Sequence, residues 1–319
     1  MSRLRMVGVL SVLLAAILLS AGCGRGIVSP SPVRNAAPTP VRLSSYDITA
    51  RRDLLTLMMA YPGAITGVEH DGGYIYIVME SGARLVYDDK KVKSYDEMLG
   101  DADLQDMLSQ VYPLSDIDEL MKGDCDPGRI RVYAFFSGIY GKTQDEVRSH
   151  LVNVSACSGN PVFSRCGGAA EALGRAFTQV TALIGRDQAV SAFVYPLSGT
   201  FNYRDIAGTG RLSMHAYAAA VDLHLNGNDY WRWVPREKGQ KRLDAYPREL
   251  VRIFEQNGFI WGGKWAHFDL VHYEYRPELI MKAQYDINTA CIKDVWYEGF
   301  PYTQSVRDAA GLIDEALDK

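Results

Sequence analysis

Four residues in the C-terminal half of the sequence have the types and spacing of a metal-dependent hydrolytic site. His215 stands seven positions before Asp222, and Asp269 stands three positions before His272. Two imidazoles and one carboxylate are a common three-ligand set for zinc, which leaves a fourth coordination position open for water. A turn between Asp269 and His272 would place the remaining carboxylate, Asp269, where it can act as a general base.

Spacing alone leaves other interpretations open. A His and an Asp seven positions apart occur together by accident in many sequences, and a buried His is more often hydrogen-bonded than bound to a metal. A structural zinc site would close all four coordination positions, often with cysteine. Zinc binding by the cysteines themselves is not expected, because the sequence contains no CxxC pair.

The elements around these residues indicate how they are positioned. Residues 220–225 alternate as a strand, with Asp222 on one face and apolar residues on the other. We expect His215 on the loop entering this strand and Asp269 just before the strand that carries His272. Helices are predicted at 169–185 and 247–257, and Gly258 suits the position after the second helix. The predicted fold class is α+β: a small antiparallel sheet carries the site, with helices packed behind it.

Three separated segments resemble the VanY-like D-alanyl-D-alanine carboxypeptidase and endopeptidase family of zinc metallopeptidases. The family signature is SxHxxGxAxD, followed by a Trp-Gly-Gly stretch and then DxxH[FY]E. In this sequence the three elements correspond to Ser213–Asp222, Trp261–Gly263 and Asp269–Glu274. Leu270 stands where a related branch carries the first His of HxH, so the chain resembles the DxxH branch.

The resemblance implies a role for each site residue. It implies that His215, Asp222 and His272 bind one zinc ion and that Asp269 is the catalytic carboxylate. Arg204 matches the family arginine that steadies the substrate carbonyl as it becomes an oxyanion.

One position departs from the family pattern. Ala218 stands where the signature has Gly. If the backbone there needs a positive φ, Ala costs roughly 1 kcal/mol or more.

Four further residues are weaker candidates for the surroundings of the site. Glu274 could orient His272, since metal-binding histidines usually need a hydrogen-bond partner. Tyr203 and Trp265 could line the substrate groove, although aromatic packing explains both equally well. His224 is expected in the groove or behind the ligands rather than as a ligand.

The N-terminus has the pattern of an export signal. Arg3 and Arg5 precede an apolar run, Met6–Ala21, which is shorter than the roughly 20 residues of a membrane-spanning helix. Cys23 directly follows Ser-Ala-Gly and resembles the lipidated cysteine of a bacterial lipobox. We therefore expect an exported protein, anchored to the bacterial cell envelope through lipid on Cys23 alone, facing the periplasm or the outer surface.

The predicted organisation has five parts: a signal peptide (1–22), a lipidated Cys with a Pro/Ser-rich tether (23–45), an accessory module of unknown role (46–150), a zinc peptidase domain (151–297) and a C-terminal helix (298–319). Within the accessory module, alternation predicts a hairpin from 74–79 and 84–87. An apolar stripe at 104, 107, 108 and 111 predicts one helix, and residues 143–152 predict another.

Four cysteines remain once Cys23 is set aside. An even number in an exported protein favours disulfides over thiol chemistry. Cys157 and Cys166 would close the shortest loop, so we favour that pairing among the three that four cysteines allow.

Composition narrows the function classes. The 319 residues are 47% apolar and 23% charged, as in ordinary globular proteins, and the formal charge of −4 gives no basic field for nucleic acid. The resemblance implies zinc-dependent hydrolysis of peptidoglycan stem peptides, either at D-Ala-D-Ala or at L-Ala–D-Glu. The alternative is a non-catalytic, zinc-containing lipoprotein that binds or regulates the cell wall.

Overall fold

The computed structural model describes residues 43–156, 158–292 and 295–318. The predicted signal peptide, Cys23 and the tether as far as residue 42 lie outside the described residues. Cys157, one partner of the predicted disulfide, also lies outside them. The pairing of Cys157 with Cys166 therefore stays a prediction.

Within the described residues the chain forms eleven α-helices and eight short strands. The helices are α1 (Ser45–Ala60), α2 (Tyr95–Gly100), α3 (Leu104–Leu108), α4 (Tyr133–Tyr140), α5 (Gln144–Ser149), α6 (Ala169–Arg186), α7 (Ser191–Val194), α8 (Arg236–Asp244), α9 (Arg248–Gln256), α10 (Pro277–Tyr285) and α11 (Gln304–Leu317). The strands are β1 (Ile65–Asp71), β2 (Tyr74–Met79), β3 (Arg84–Val86), β4 (Leu151–Asn153), β5 (Val162–Ser164), β6 (Ala220–Asp222), β7 (Phe259–Trp261) and β8 (His272–Tyr275). None of the described helices is both long and apolar enough to cross a membrane.

The strands form three small antiparallel sheets, which confirms the α+β prediction. Their orders are β1-β2-β3, β4-β5 and β6-β8-β7. The predicted hairpin is present as β2 and β3, and β1 extends it into a three-stranded sheet.

Two predicted helices are shorter than their sequence patterns indicate. Helix α3 ends at Leu108, and Val111 of the predicted stripe is 44% exposed. Pro113 follows closely, and a proline disfavours helical backbone in the residue before it. Helix α5 ends at Ser149 because residues 151–153 pair with β5 as a strand.

The sheet β6-β8-β7 is backed by two predicted helices, α6 and α9, whose bounds agree with the prediction within one residue. Phe254 of α9 packs on Tyr273 of β8, with ring centroids 4.3 Å apart, and on Phe177 of α6 at 6.2 Å. Gly258 follows α9 with φ +84°, a conformation that glycine adopts without strain. This apolar layer holds the sheet from one side and leaves the other side for the candidate site.

The N-terminal and C-terminal helices pack together. Ser44 caps α1 and exchanges hydrogen bonds with Asp47 in a capping box. The buried Arg51 of α1 pairs with Asp314 of α11. Helix α11 begins at Gln304, within the segment 298–319 predicted as a C-terminal helix, because the Thr303 hydroxyl accepts from the Val306 amide and caps it there.

The segment predicted as an accessory module belongs to the same compact unit as the predicted peptidase domain. Tyr112 donates its hydroxyl proton to Glu255 of α9 at 2.6 Å and accepts from the Trp261 amide at 3.0 Å. Lys264 donates to the same Glu255 carboxylate at 2.6 Å and to the Pro113 carbonyl at 2.7 Å. Residues 112–113 are thus joined through buried polar contacts to the elements beside the site.

Breaking this buried ion pair should destabilise the whole unit. In Lys264→Met, Glu255 keeps a buried charge without its cation, and we expect a loss of about 3–5 kcal/mol in the free energy of unfolding. Urea denaturation measures the loss. Arg186→Met is the matched control: its pair with Glu249 is exposed, so it should cost less than about 1 kcal/mol. Equal losses in the two variants would contradict the prediction.

Candidate metal centre

Sheet register places two of the predicted ligands opposite each other. Strands β6 and β8 are antiparallel, and Asp222 is the direct cross-strand partner of His272. Directly opposed residues in an antiparallel pair have Cβ atoms about 4.5–5.5 Å apart, so short side chains can meet. The Oδ1 atom of Asp222 lies 2.8 Å from Nδ1 of His272. One backbone pairing therefore brings together residues fifty positions apart in the chain.

The third predicted ligand, His215, lies on a 3₁₀ turn, Met214–Tyr217, that leads into β6. Its Nε2 atom is 3.1 Å from Oδ2 of Asp222 and 3.2 Å from Nδ1 of His272. Ligand atoms of these three side chains all lie within 4.8 Å of one another. A single ion could therefore contact all three.

Ala218 ends this turn in a left-handed conformation, with φ 51° and ψ 40°. An L-residue there costs roughly 1–2 kcal/mol, which glycine would avoid. The strain is held by two backbone hydrogen bonds, from the Ala218 amide to the His215 carbonyl and from the Ser164 amide to the Ala218 carbonyl. The turn thus keeps the shape that presents His215, although the family glycine is missing.

Hydrogen bonds on the far side of each imidazole determine which nitrogen faces the cluster. Nδ1 of His215 lies 2.8 Å from the Thr200 carbonyl, so this nitrogen carries a proton and Nε2 presents a lone pair. Both nitrogens of His272 face carboxylates, Nδ1 at 2.8 Å from Asp222 and Nε2 at 3.0 Å from Glu274. When a cation takes the Nδ1 lone pair, Glu274 is the acceptor that holds the ring proton on Nε2. Two imidazole lone pairs and a carboxylate then converge, and this donor set fits zinc.

The electrostatics of the cluster favour a positive charge among its members. Burial lowers the pKa of His272, but hydrogen bonds to Asp222 and Glu274 outweigh it and raise that pKa to about 10. Burial would raise the pKa of Asp222, yet in the absence of a cation the protonated imidazoles of His215 and His272 would donate to it and hold that pKa well below its ordinary value. A divalent cation would satisfy the same demand for positive charge.

Asp269 precedes β8 on a tight turn. Its carbonyl accepts from the His272 amide at 3.3 Å, and its amide donates to the Gly262 carbonyl at 2.9 Å. Burial raises the pKa of the Asp269 carboxyl to about 7, and the charge of His272 acts in the opposite direction. A carboxyl group that exchanges its proton near neutral pH is suited to general acid–base catalysis.

Backbone hydrogen bonds hold Arg204 and its neighbours beside the turn that carries His215. The Ser213 amide donates to the Arg204 carbonyl at 3.1 Å, and the Asn202 amide donates to the His215 carbonyl at 3.1 Å. The Arg204 side chain is exposed, and its Nη1 donates to the Asp205 backbone carbonyl at 3.3 Å. The guanidinium is thus available to an anionic or polarised group of a ligand.

The weaker candidates divide into two groups. The ring of Trp265 lies 5.6 Å from that of His272, and Glu274 contacts His272 directly, so both adjoin the cluster. Tyr203 is half-buried beside Arg204. The His224 backbone amide bonds the Phe193 carbonyl, and its side chain is not among the groups that could share a metal within the described residues.

A short segment, residues 125–127, runs along the loop that leads to Asp269, and we term it the strap. The Cys125 carbonyl accepts from the Ala266 amide at 2.8 Å, and the Pro127 carbonyl accepts from the Trp265 indole at 2.7 Å. Asp126 contacts Nδ1 of His267 at 2.6 Å. No local sequence pattern predicts these contacts, because they join segments about 140 positions apart.

The comparisons with known proteins agree with this geometry over part of the chain. A family model described as D-alanyl-D-alanine carboxypeptidase matches residues 207–275. The match includes His215, Asp222, Asp269 and His272 and supports a metallopeptidase in general. No curated protein and no solved structure matches the chain.

Gly262 permits the close approach of the Asp269 backbone. A Cβ atom at position 262 would lie 2.6 Å from the Asp269 carbonyl oxygen, closer than real Cβ contacts allow. We expect Gly262→Ala to lower the free energy of unfolding by about 1–3 kcal/mol and to displace Asp269. Urea denaturation and a crystal structure of the variant test both effects.

The matched control is Gly199→Ala. Gly199 pairs with Asp222 in an isolated bridge at the same site, but its Cβ would meet nothing within 4 Å. It should retain wild-type stability, and a Gly262→Ala variant equally stable would refute the steric argument.

Proposed function

We propose that the protein is a zinc-dependent peptidase that hydrolyses peptide bonds in the stem peptides of peptidoglycan. The observation that carries the proposal is the convergence of His215, Asp222 and His272 with Asp269 on the adjoining turn, within the segment that matches the carboxypeptidase family. The bond cleaved is either D-Ala-D-Ala at the end of the stem or L-Ala–D-Glu within it.

The ligand set prepares the site for hydrolysis. His215, Asp222 and His272 would hold one zinc ion and leave a coordination position for ligands from outside the protein. When bound, zinc supplies a Lewis acid that polarises the peptide carbonyl and makes a nearby water easier to deprotonate.

Asp269 and Arg204 would carry out the remaining chemistry. Asp269 accepts the proton of the attacking water and later returns it to the leaving amine, a transfer suited to a carboxyl with a pKa of about 7. The exposed guanidinium of Arg204 would stabilise the negative charge that develops on the carbonyl oxygen. A purely structural zinc site needs neither residue, which favours the enzyme over a wall-binding protein.

The decisive variants separate metal binding from catalysis. We expect one zinc per chain by elemental analysis, retained in Asp269→Asn and lost in His215→Ala. Because general acid–base catalysis contributes roughly 10²–10⁴-fold, Asp269→Asn should lose about that factor in kcat. Arg204→Ala should also lower kcat, since its charge acts mainly in the transition state.

Mass spectrometry of products from purified muropeptides measures the rates and identifies the bond. Asp205→Asn is the matched control, an exposed carboxylate beside Arg204, and should keep the wild-type rate. An Asp269→Asn variant as fast as wild type would refute the mechanism. A wild-type protein that binds zinc and sacculi but hydrolyses nothing would favour the wall-binding protein.

We also propose that the protein acts at the cell envelope, held there by lipid on Cys23. The support is the N-terminal sequence alone, in which an apolar run ends in Ser-Ala-Gly-Cys. Cys23→Ser should move the protein out of the detergent-extracted membrane fraction, because its acyl chains are lost. Unchanged partitioning of the variant on immunoblots would contradict the lipid anchor.

A further inference from the structure

Behind His272 lies a buried chain of charged side chains that does not belong to the predicted ligand set. Oε1 of Glu274 accepts from Nε2 of His272 at 3.0 Å and from a guanidinium nitrogen of Arg131. Glu274 is 1% exposed and Arg131 is 6% exposed. One oxygen of Glu274 thus connects the His272 imidazole to Arg131, which lies 143 positions before Glu274 in the chain.

A second arginine, Arg276, lies near Glu274 but forms its hydrogen bonds with other groups. Nη1 of Arg276 lies 3.6 Å from Oε2 of Glu274 and donates to the Gly128 carbonyl at 2.6 Å. Its Nε bonds Glu278 at 2.5 Å. Because Arg276 balances the buried charge of Glu278, the direct counter-charge of Glu274 is Arg131.

That counter-charge matters for the orientation of His272. An unpaired carboxylate is very costly to bury, so without Arg131 the Glu274 side chain would turn away from His272 or admit water. Either change weakens the acceptor that keeps the neutral His272 proton on Nε2. Nδ1 would then lose its fixed lone pair toward His215 and Asp222.

We propose that Arg131 is a positioning residue of the metal centre, holding Glu274 so that His272 presents Nδ1 to zinc. The inference rests on the zinc binding of the proposed function. Arg131 lies outside residues 207–275, which match the carboxypeptidase family, and within the segment predicted as an accessory module. That segment thus supplies Arg131, which supports the metal centre through Glu274.

A merely structural arginine would behave differently, and Arg51 provides the comparison. Its side chain is as buried as that of Arg131, and it pairs with Asp314 and Asp318 at the α1–α11 contact. Arg51→Met and Arg131→Met should both lower stability. Only Arg131→Met should change zinc binding.

The first measurement is the zinc dissociation constant of the full chain, by competition with a chromogenic chelator. Loss of a residue that orients a metal ligand typically weakens metal binding by roughly 10–100-fold, and we expect that loss in Arg131→Met. Arg131→Lys keeps the charge and should recover part of the affinity. Arg51→Met should bind zinc as tightly as wild type. A folded Arg131→Met variant with wild-type affinity, or an equal loss in Arg51→Met, would overturn the proposal.

The second measurement is the imidazole tautomer in the zinc-loaded wild type, by long-range proton–nitrogen NMR. The sequence has six histidines, so the His272 signals can be assigned by comparison with His272→Gln. We expect the proton on Nε2, and a proton on Nδ1 would overturn the proposal even if Arg131→Met fails to fold. Neither measurement depends on hydrolysis, so a protein without peptidase activity would refute the enzyme and leave this inference to be decided by zinc binding.

Discussion

The pairing of β6 with β8 is the constraint on which the candidate site depends. It sets Asp222 opposite His272 and Ala220 opposite Glu274. One antiparallel register therefore brings two predicted metal ligands together and also fixes the position of Glu274, which contacts His272 from the other side of the ring. A slip by one residue would turn every side chain of β6 to the other face of the sheet. Val221 of β6, the cross-strand partner of Tyr273, is fully buried, and the cost of exposing it opposes such a slip.

Around this register the molecule buries several carboxylates, each beside a basic side chain. Glu274 meets Arg131, Glu278 meets Arg276 and Tyr61, and Glu255 meets Lys264 and Tyr112. Each group is costly to desolvate alone and tolerable only with its partner in place. Several of these partners come from residues before 150, so the balance of charge couples the two halves of the chain.

The short-range features could be predicted from the sequence, and the long-range ones could not. The strand that carries Asp222, the helices α6 and α9 and the turn before His272 follow from local periodicity and spacing, because backbone geometry repeats over a few residues. The strand at 151–153 overrode a helical pattern because it pairs with residues 162–164, which lie outside the window that carries that pattern. Arg131 and the Thr200 carbonyl are identified only by the folded structure, since no periodicity relates them to the histidines they serve.

The strap, residues 125–127, bears on how such a protein can change over evolutionary time. It holds Trp265, Ala266 and His267 through two main-chain carbonyls and one carboxylate. Main-chain contacts survive most side-chain substitutions. Insertions or deletions would break them, because they would move the carbonyls away from their donors. We therefore expect the 207–275 segment to lose these contacts if it is transferred to another protein without the strap. It must be inherited with the strap, and the two are expected to vary in sequence while keeping their lengths in step.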